Sequence, residues 1–100
     1  MTTLPPVVVS VGSGRMSCDV PAMPGWSGLE TLWLYLEQHF DAISVSRVDG
    51  PDARCWIVRV RGIELSLVHE DPWGNMIVSS SPQGDTLLQE IADDLRARLA

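Results

Sequence analysis

The stretch Cys55-Trp56-Ile57-Val58-Arg59-Val60-Arg61-Gly62-Ile63-Glu64-Leu65-Ser66-Leu67-Val68 decides the fold. Two runs rich in apolar residues flank Arg61-Gly62, the pattern of half-buried strands joined by a tight turn. A two-residue hairpin loop sets Val60 opposite Ile63, Val58 opposite Leu65 and Trp56 opposite Leu67, all on one face. The other face then carries Arg59 opposite Glu64, an opposite-charge pair worth about 0.2–1 kcal/mol. Asn-Gly would suit a type I′ turn better than Arg-Gly, yet the apolar and the charged pairings agree on one register.

Working outward, Ile43-Ser44-Val45-Ser46-Arg47-Val48 alternates as a strand and leads into the turn cluster Asp49-Gly50-Pro51-Asp52. On the other side, His69 to Asn75 reads as a polar reversal, and Met76-Ile77-Val78-Ser79 returns as a fourth strand. Ser27-Gly28-Leu29-Glu30 has the form of a capping box, which predicts a helix to about Phe40. Its apolar face carries Leu29, Leu32, Trp33, Leu36 and Phe40; Leu34 falls among polar residues opposite, with Tyr35 and His39 at the boundary. Ser81-Pro82 places a cap before a proline at the first helical position, with Asp85 as a second candidate cap. The last helix runs to about Leu99 on a face of Leu87, Leu88, Ile91, Ala92, Leu95 and Leu99, with Asp94 and Arg98 as an i,i+4 pair. Val7 to Val11, between Pro5-Pro6 and Gly12, reads as an N-terminal strand, and residues 12–25 as a long irregular connection.

The expected fold is α+β. It is a two-layer sandwich: a four-stranded antiparallel meander, with the N-terminal strand as a candidate fifth, and two helices packed on one face. One domain is expected over residues 1–100, with 1–26 giving the N-terminal strand and connection and 27–99 the helix, four strands and helix. The second face of the sheet would carry Cys55, Ile57, Arg59, Glu64, Ser66, Val68 and Glu70. A surface so mixed suits a partner or a second subunit.

Composition narrows function by exclusion. The hydrophobic share is 45% and the charged share 20%, a globular balance. All seven cations are arginine, against thirteen acids, for a net charge of −6. Such a chain is poorly suited to phosphate backbones or anionic membranes, so neither nucleic acid nor a membrane is an expected partner. The opening residues have no basic region and an apolar run of about five residues, short of the roughly 7–15 of a secretory signal or the roughly 20 of a membrane span. A cytoplasmic location is therefore expected. Cys18 and Cys55 are too few for a disulfide framework and make no C-x-x-C pair, so two free thiols are expected.

No reactive constellation emerges. Gly12-Ser13-Gly14 lacks the third glycine of a dinucleotide fingerprint, and Pro21, Pro24 and Gly25 oppose the helix that motif needs. His69, Glu70 and Asp71 are adjacent, and consecutive residues of an extended chain point to opposite sides, so they converge poorly on a metal. No G-x-S-x-G occurs, and Cys55, within a sheet, is expected to be inert. Arg47, Arg54, Arg59 and Arg61 cluster near Trp56, but a nucleic-acid-reading sheet exposes its aromatics, and Trp56 lies on the apolar face. No catalytic residue, cofactor or metal is expected.

Binding features remain. Of the four tryptophans, Trp33 and Trp56 belong to the expected core, while Trp26 and Trp73 sit in Pro-Gly-Trp and Pro-Trp-Gly turns. These two are either lids over the core's edge or partly exposed anchors. Leu34 and Tyr35 add a small apolar patch. Glu70 and Asp71 flank Trp73, and Asp49 and Asp52 occupy another turn; carboxylates around an apolar anchor suit a basic protein partner. The candidate partner-binding residues are Trp73, Glu70, Asp71, Leu34, Tyr35 and Trp26.

In size, acidity and the meander-plus-terminal-helix layout of residues 27–99, the chain resembles the small acidic bacterial immunity proteins of contact-dependent and polymorphic toxin systems. The resemblance implies a stoichiometric inhibitor that occludes a basic toxin's active site without chemistry of its own. The chain is also similar to the acidic chaperones of type III secretion, although those carry a helix inside the strand series. The expectation is a non-catalytic protein-binding module of the immunity type. The alternative is a small homodimeric structural, assembly or secretion-chaperone-like domain.

Overall fold

The computed structural model describes residues 5–12, 14–71 and 74–99. Trp73, the first of the candidate anchors, lies outside the described residues. In chain order the elements are β1 (Val8–Gly12), β2 (Arg15–Asp19), α1 (Gly25–Phe40), β3 (Ile43–Asp49), β4 (Ala53–Val60), β5 (Ile63–Glu70), β6 (Gly74–Ser79) and α2 (Pro82–Leu99). The six strands form one open antiparallel sheet in the order β1-β2-β6-β5-β4-β3. The α+β class is as expected, but the sheet has six strands rather than four or five.

The added strand is β2, in the stretch expected to be irregular. Arg15-Met16-Ser17-Cys18-Asp19 has little intrinsic strand preference. Pairing on both sides supplies what propensity does not: Val9 faces Cys18 across the β1–β2 hairpin, and Cys18 faces Ile77 of β6. Cys18 and the following Val20 are sealed in the core.

The β4–β5 hairpin has the expected register, Val60 opposite Ile63, Val58 opposite Leu65 and Trp56 opposite Leu67. Arg61 (φ 53°) and Gly62 (φ 77°) both occupy the left-handed region that a type I′ turn demands. Arg59 reaches Glu64 at 3.1 Å. β5 continues two residues beyond its expected end, so His69 belongs to a strand and not to a polar reversal. β3 carries a bulge between Ser44 and Ser46, and all seven of its residues are exposed.

Helix α1 starts at Gly25, ahead of the expected Ser27 cap. Pro24 precedes it, and no side chain caps it. The capping box does not form, because Glu30 turns instead towards Arg54 at 3.4 Å. The helix ends as expected at Phe40, where Asp41 turns left-handed and the Ala42 N–H donates to the Leu36 carbonyl at 3.2 Å. Helix α2 has the expected cap: Ser81 Oγ accepts the Gly84 N–H at 3.0 Å.

α1 contacts β5 and β6, and α2 contacts β1, β2, β5 and β6. Leu29, Leu32 and Leu36 of α1 join Leu88, Ile91 and Leu95 of α2, and Trp56, Val58, Leu65, Leu67 and Ile77 of the sheet, in one buried cluster. Trp33, expected in the core, is only half-buried against it. Among the described residues, no helix is long and apolar enough to cross a membrane.

Candidate protein-binding site

The last register rows of the sheet place four polar residues side by side on its buried face. Asp49 pairs with Arg54, Arg54 with His69, and His69 with Asn75. The row continues the alternation that buries Trp56, Leu65 and Leu67, so Arg54, His69 and Asn75 are themselves buried. Buried polar groups need partners, and the connection into α1 supplies those of Asn75, while Arg54 Nε is buried without a hydrogen-bond partner among the described residues. The Asn75 amide donates to the carbonyls of Met23 at 2.6 Å and Gly25 at 3.0 Å. Its oxygen therefore faces His69 Nδ1 at 2.7 Å, which assigns the ring proton to Nδ1. His69 Nε2 is left facing the Asp71 carboxylate at 3.6 Å. The row thus ties β6 and β5 to the start of α1.

Arg54 completes the cluster. Its guanidinium stacks 3.8 Å from the centre of the Trp26 ring and donates to the Trp26 carbonyl at 3.3 Å. Its Nε lies 3.6 Å from Asp49, whose carboxylate accepts the Trp56 indole N–H at 2.8 Å. Arg47 lies 4.2 Å over Trp56 and 5.2 Å over Trp33. The arginines expected to cluster around Trp56 are therefore largely engaged within the molecule. Arg59 pairs with Glu64 and Arg61 with Glu90, at 2.8 Å.

This distribution leaves negative charge at one end of the sheet. The Asp71 N–H donates to the Asp52 carbonyl at 3.2 Å, which draws the β3–β4 and β5–β6 turns together. Asp52 and Glu70 have no ion-pair partner among the described residues, and Asp71 faces only His69. Beside them the opposite face of the sheet carries a register row of Val48, Cys55, Val68 and Met76. Val48 is 65% exposed, Cys55 is exposed, and Val68 and Met76 are half-buried.

The expected binding residues divide. Asp71 and Trp26 both meet His69 on the buried face, Trp26 39% exposed with its indole propped by Arg54 and edge-on to His69, whereas Glu70 lies on the open face with Val68. Leu34 is exposed on the outer side of α1. Tyr35 is not: it is buried, and its hydroxyl donates to Asp94 of α2. The small patch expected from the two therefore reduces to Leu34. Burial and the Asp94 bond push the Tyr35 phenol well up, while Arg98 and Tyr35 together hold the Asp94 carboxyl below its usual range.

Sequence reasoning missed the Arg54–His69–Asn75 row. The available signal was the hairpin register itself: two further steps place Arg54 opposite His69 on the face of Trp56 and Leu67. Both cysteines are free, Cys18 buried and Cys55 exposed. Among the described residues, no group of three or more His, Cys, Asp or Glu side chains is placed to hold a metal ion. Comparison with protein-family models, with curated proteins and with solved structures finds no match to this chain.

Proposed function

We propose that the chain is a non-catalytic protein-binding module of the cytoplasm, most concretely an immunity-type stoichiometric inhibitor of a basic bacterial toxin. In this reading the two helices form one layer over the buried face of the sheet, completing a two-layer sandwich, and the opposite face is left to a partner. One observation carries the reading: Glu70, which has no ion-pair partner among the described residues, follows Val68 on the open face, beside the apolar row that begins at Val48. An acidic rim beside an apolar strip attracts a basic surface and then gives it apolar area to bury. The alternative, a homodimer through the exposed β3 edge, draws on Ile43, Val45 and Val48, but the bulge in that strand interrupts the edge that a second copy would extend.

The test is light scattering and calorimetry with a basic toxin-like domain encoded beside this chain's gene. The expected result is a one-to-one complex that Glu70→Arg weakens at least about tenfold. A stable dimer of this chain that ignores the toxin domain, or a complex indifferent to Glu70→Arg, overturns the proposal.

A further inference from the structure

The open face of the sheet specifies what a partner must present, an inference that rests on the protein-binding reading. Val48, Gly50, Ala53, Arg54, Cys55 and Val68 line a groove of about 400 Å³ that reaches Glu70. Its floor is set by register: Val48 pairs with Cys55, Cys55 with Val68, and Ala53 with Glu70. Glu70 therefore follows Val68 by one step on the same face, whereas the Asp71 carboxylate faces His69 on the buried side. Same-face neighbours along a strand are about 7 Å apart. A partner chain in extended conformation has the same spacing between residues i and i+2.

This chain does not fill the acidic end itself among the described residues. Arg54 is turned to the buried face and stacked on Trp26, and Arg59 is paired one end away with Glu64. A second copy would bring further acid to acid, because the net charge is −6. The geometry points to an extended basic segment of a partner protein. An aliphatic side chain at position i enters the Val48–Cys55–Val68 groove, and an arginine or lysine at i+2 pairs with Glu70.

The probes are acetylated, amidated peptides Gly-Leu-Ser-Arg-Gly, the same peptide with glutamate for arginine, and the same with serine for leucine. Methyl NMR of the full chain follows Val48 and Val68, with the Glu70 amide as the charge reporter. The leucine–arginine peptide is expected to shift all three saturably and to bind at least about tenfold tighter than either control. Glu70→Arg, at an exposed position, should reverse the preference between the arginine and glutamate peptides. Equal binding of all three peptides, shifts confined to another surface, or no shift at all overturns the proposal. So does a change of the Val48 and Val68 signals on dilution alone, which would assign the groove to a second copy. If the peptides fail while Glu70→Arg still weakens an intact basic partner, the segment assignment falls and the protein-binding reading stands. If the intact partner is also indifferent to Glu70→Arg, both fall.

Discussion

Replacing Asn75 by alanine removes the group that joins β6, β5 and the entry to α1. The side chain is 3% exposed and makes three hydrogen bonds, to His69 Nδ1 and to the carbonyls of Met23 and Gly25. A typical bond contributes about 1 kcal/mol net, and a buried donor left without a partner costs about 1–3 kcal/mol. The two carbonyls belong to a half-buried and an exposed residue and can turn to water. His69 is 1% exposed, so its Nδ1–H has no such recourse. The expected cost is about 3 kcal/mol, a large part of the roughly 5–15 kcal/mol that holds a domain folded. Urea unfolding followed by tryptophan fluorescence should show the midpoint falling with the m-value unchanged. A double-mutant cycle of Asn75→Ala with His69→Ala should give a coupling of at least about 0.5 kcal/mol. A loss under about 1 kcal/mol, or additive single variants, would refute the argument that this polar row fastens the sheet to α1.

Three other substitutions test the same framework. Gly28→Ala, which on an exposed helix would gain about 0.5–1 kcal/mol, should instead destabilise by about 1–3 kcal/mol, because a Cβ there meets the Met23 carbonyl and the Asn75 amide; thermal unfolding with a raised midpoint would contradict the close approach. Burial pushes the Cys18 thiol from 9.0 up to about 11, so its contribution is complete below pH 9 and is lost as pH rises towards 11. The loss is about 3 kcal/mol. Cys18→Ala should flatten unfolding free energy against pH between 9 and 10, below the range in which the raised Tyr35 phenol adds its own loss, and an equally steep fall in the variant there would assign the alkaline sensitivity elsewhere. Tyr35→Phe removes the bond from α1 to Asp94 and should cost about 1 kcal/mol at neutral pH, measured in urea; no loss would mean that the contact adds nothing to helix docking.

The parts of the fold that were legible in the sequence share one property: a regular period dictated by burial. The β4–β5 register followed from Trp56, Val58 and Val60 meeting Leu67, Leu65 and Ile63, and the buried face of α2 followed from Leu88, Ile91 and Leu95. β2 was illegible because its residues are poor strand formers held on one side by partners 57 or more residues away, such as Ile77 opposite Cys18. The cap of α1 misled because Ser27-Gly28-Leu29-Glu30 matches a local pattern whose glutamate is claimed by Arg54, a long-range contact. Polar residues on a buried strand face read as a loop, which concealed His69 and Asn75. The charge at the candidate site was legible in Glu70 and Asp71. Its apolar neighbour was legible only in part, since the row from Val48 to Met76 depends on how three hairpins align.

The claim that the open face near Glu70 is where a partner sits is tested most directly by the reactivity of Cys55. This thiol is exposed within the groove, whereas Cys18 is 0% exposed and serves as the internal silent control. Alkylation of the folded protein, read by mass spectrometry, should proceed at Cys55 with a rate constant independent of protein concentration. A saturating basic toxin-domain partner should slow it at least about tenfold, as burial in the core of an interface excludes reagent and water alike. A partner that binds tightly and leaves the Cys55 rate unchanged would place the interface elsewhere and contradict the account.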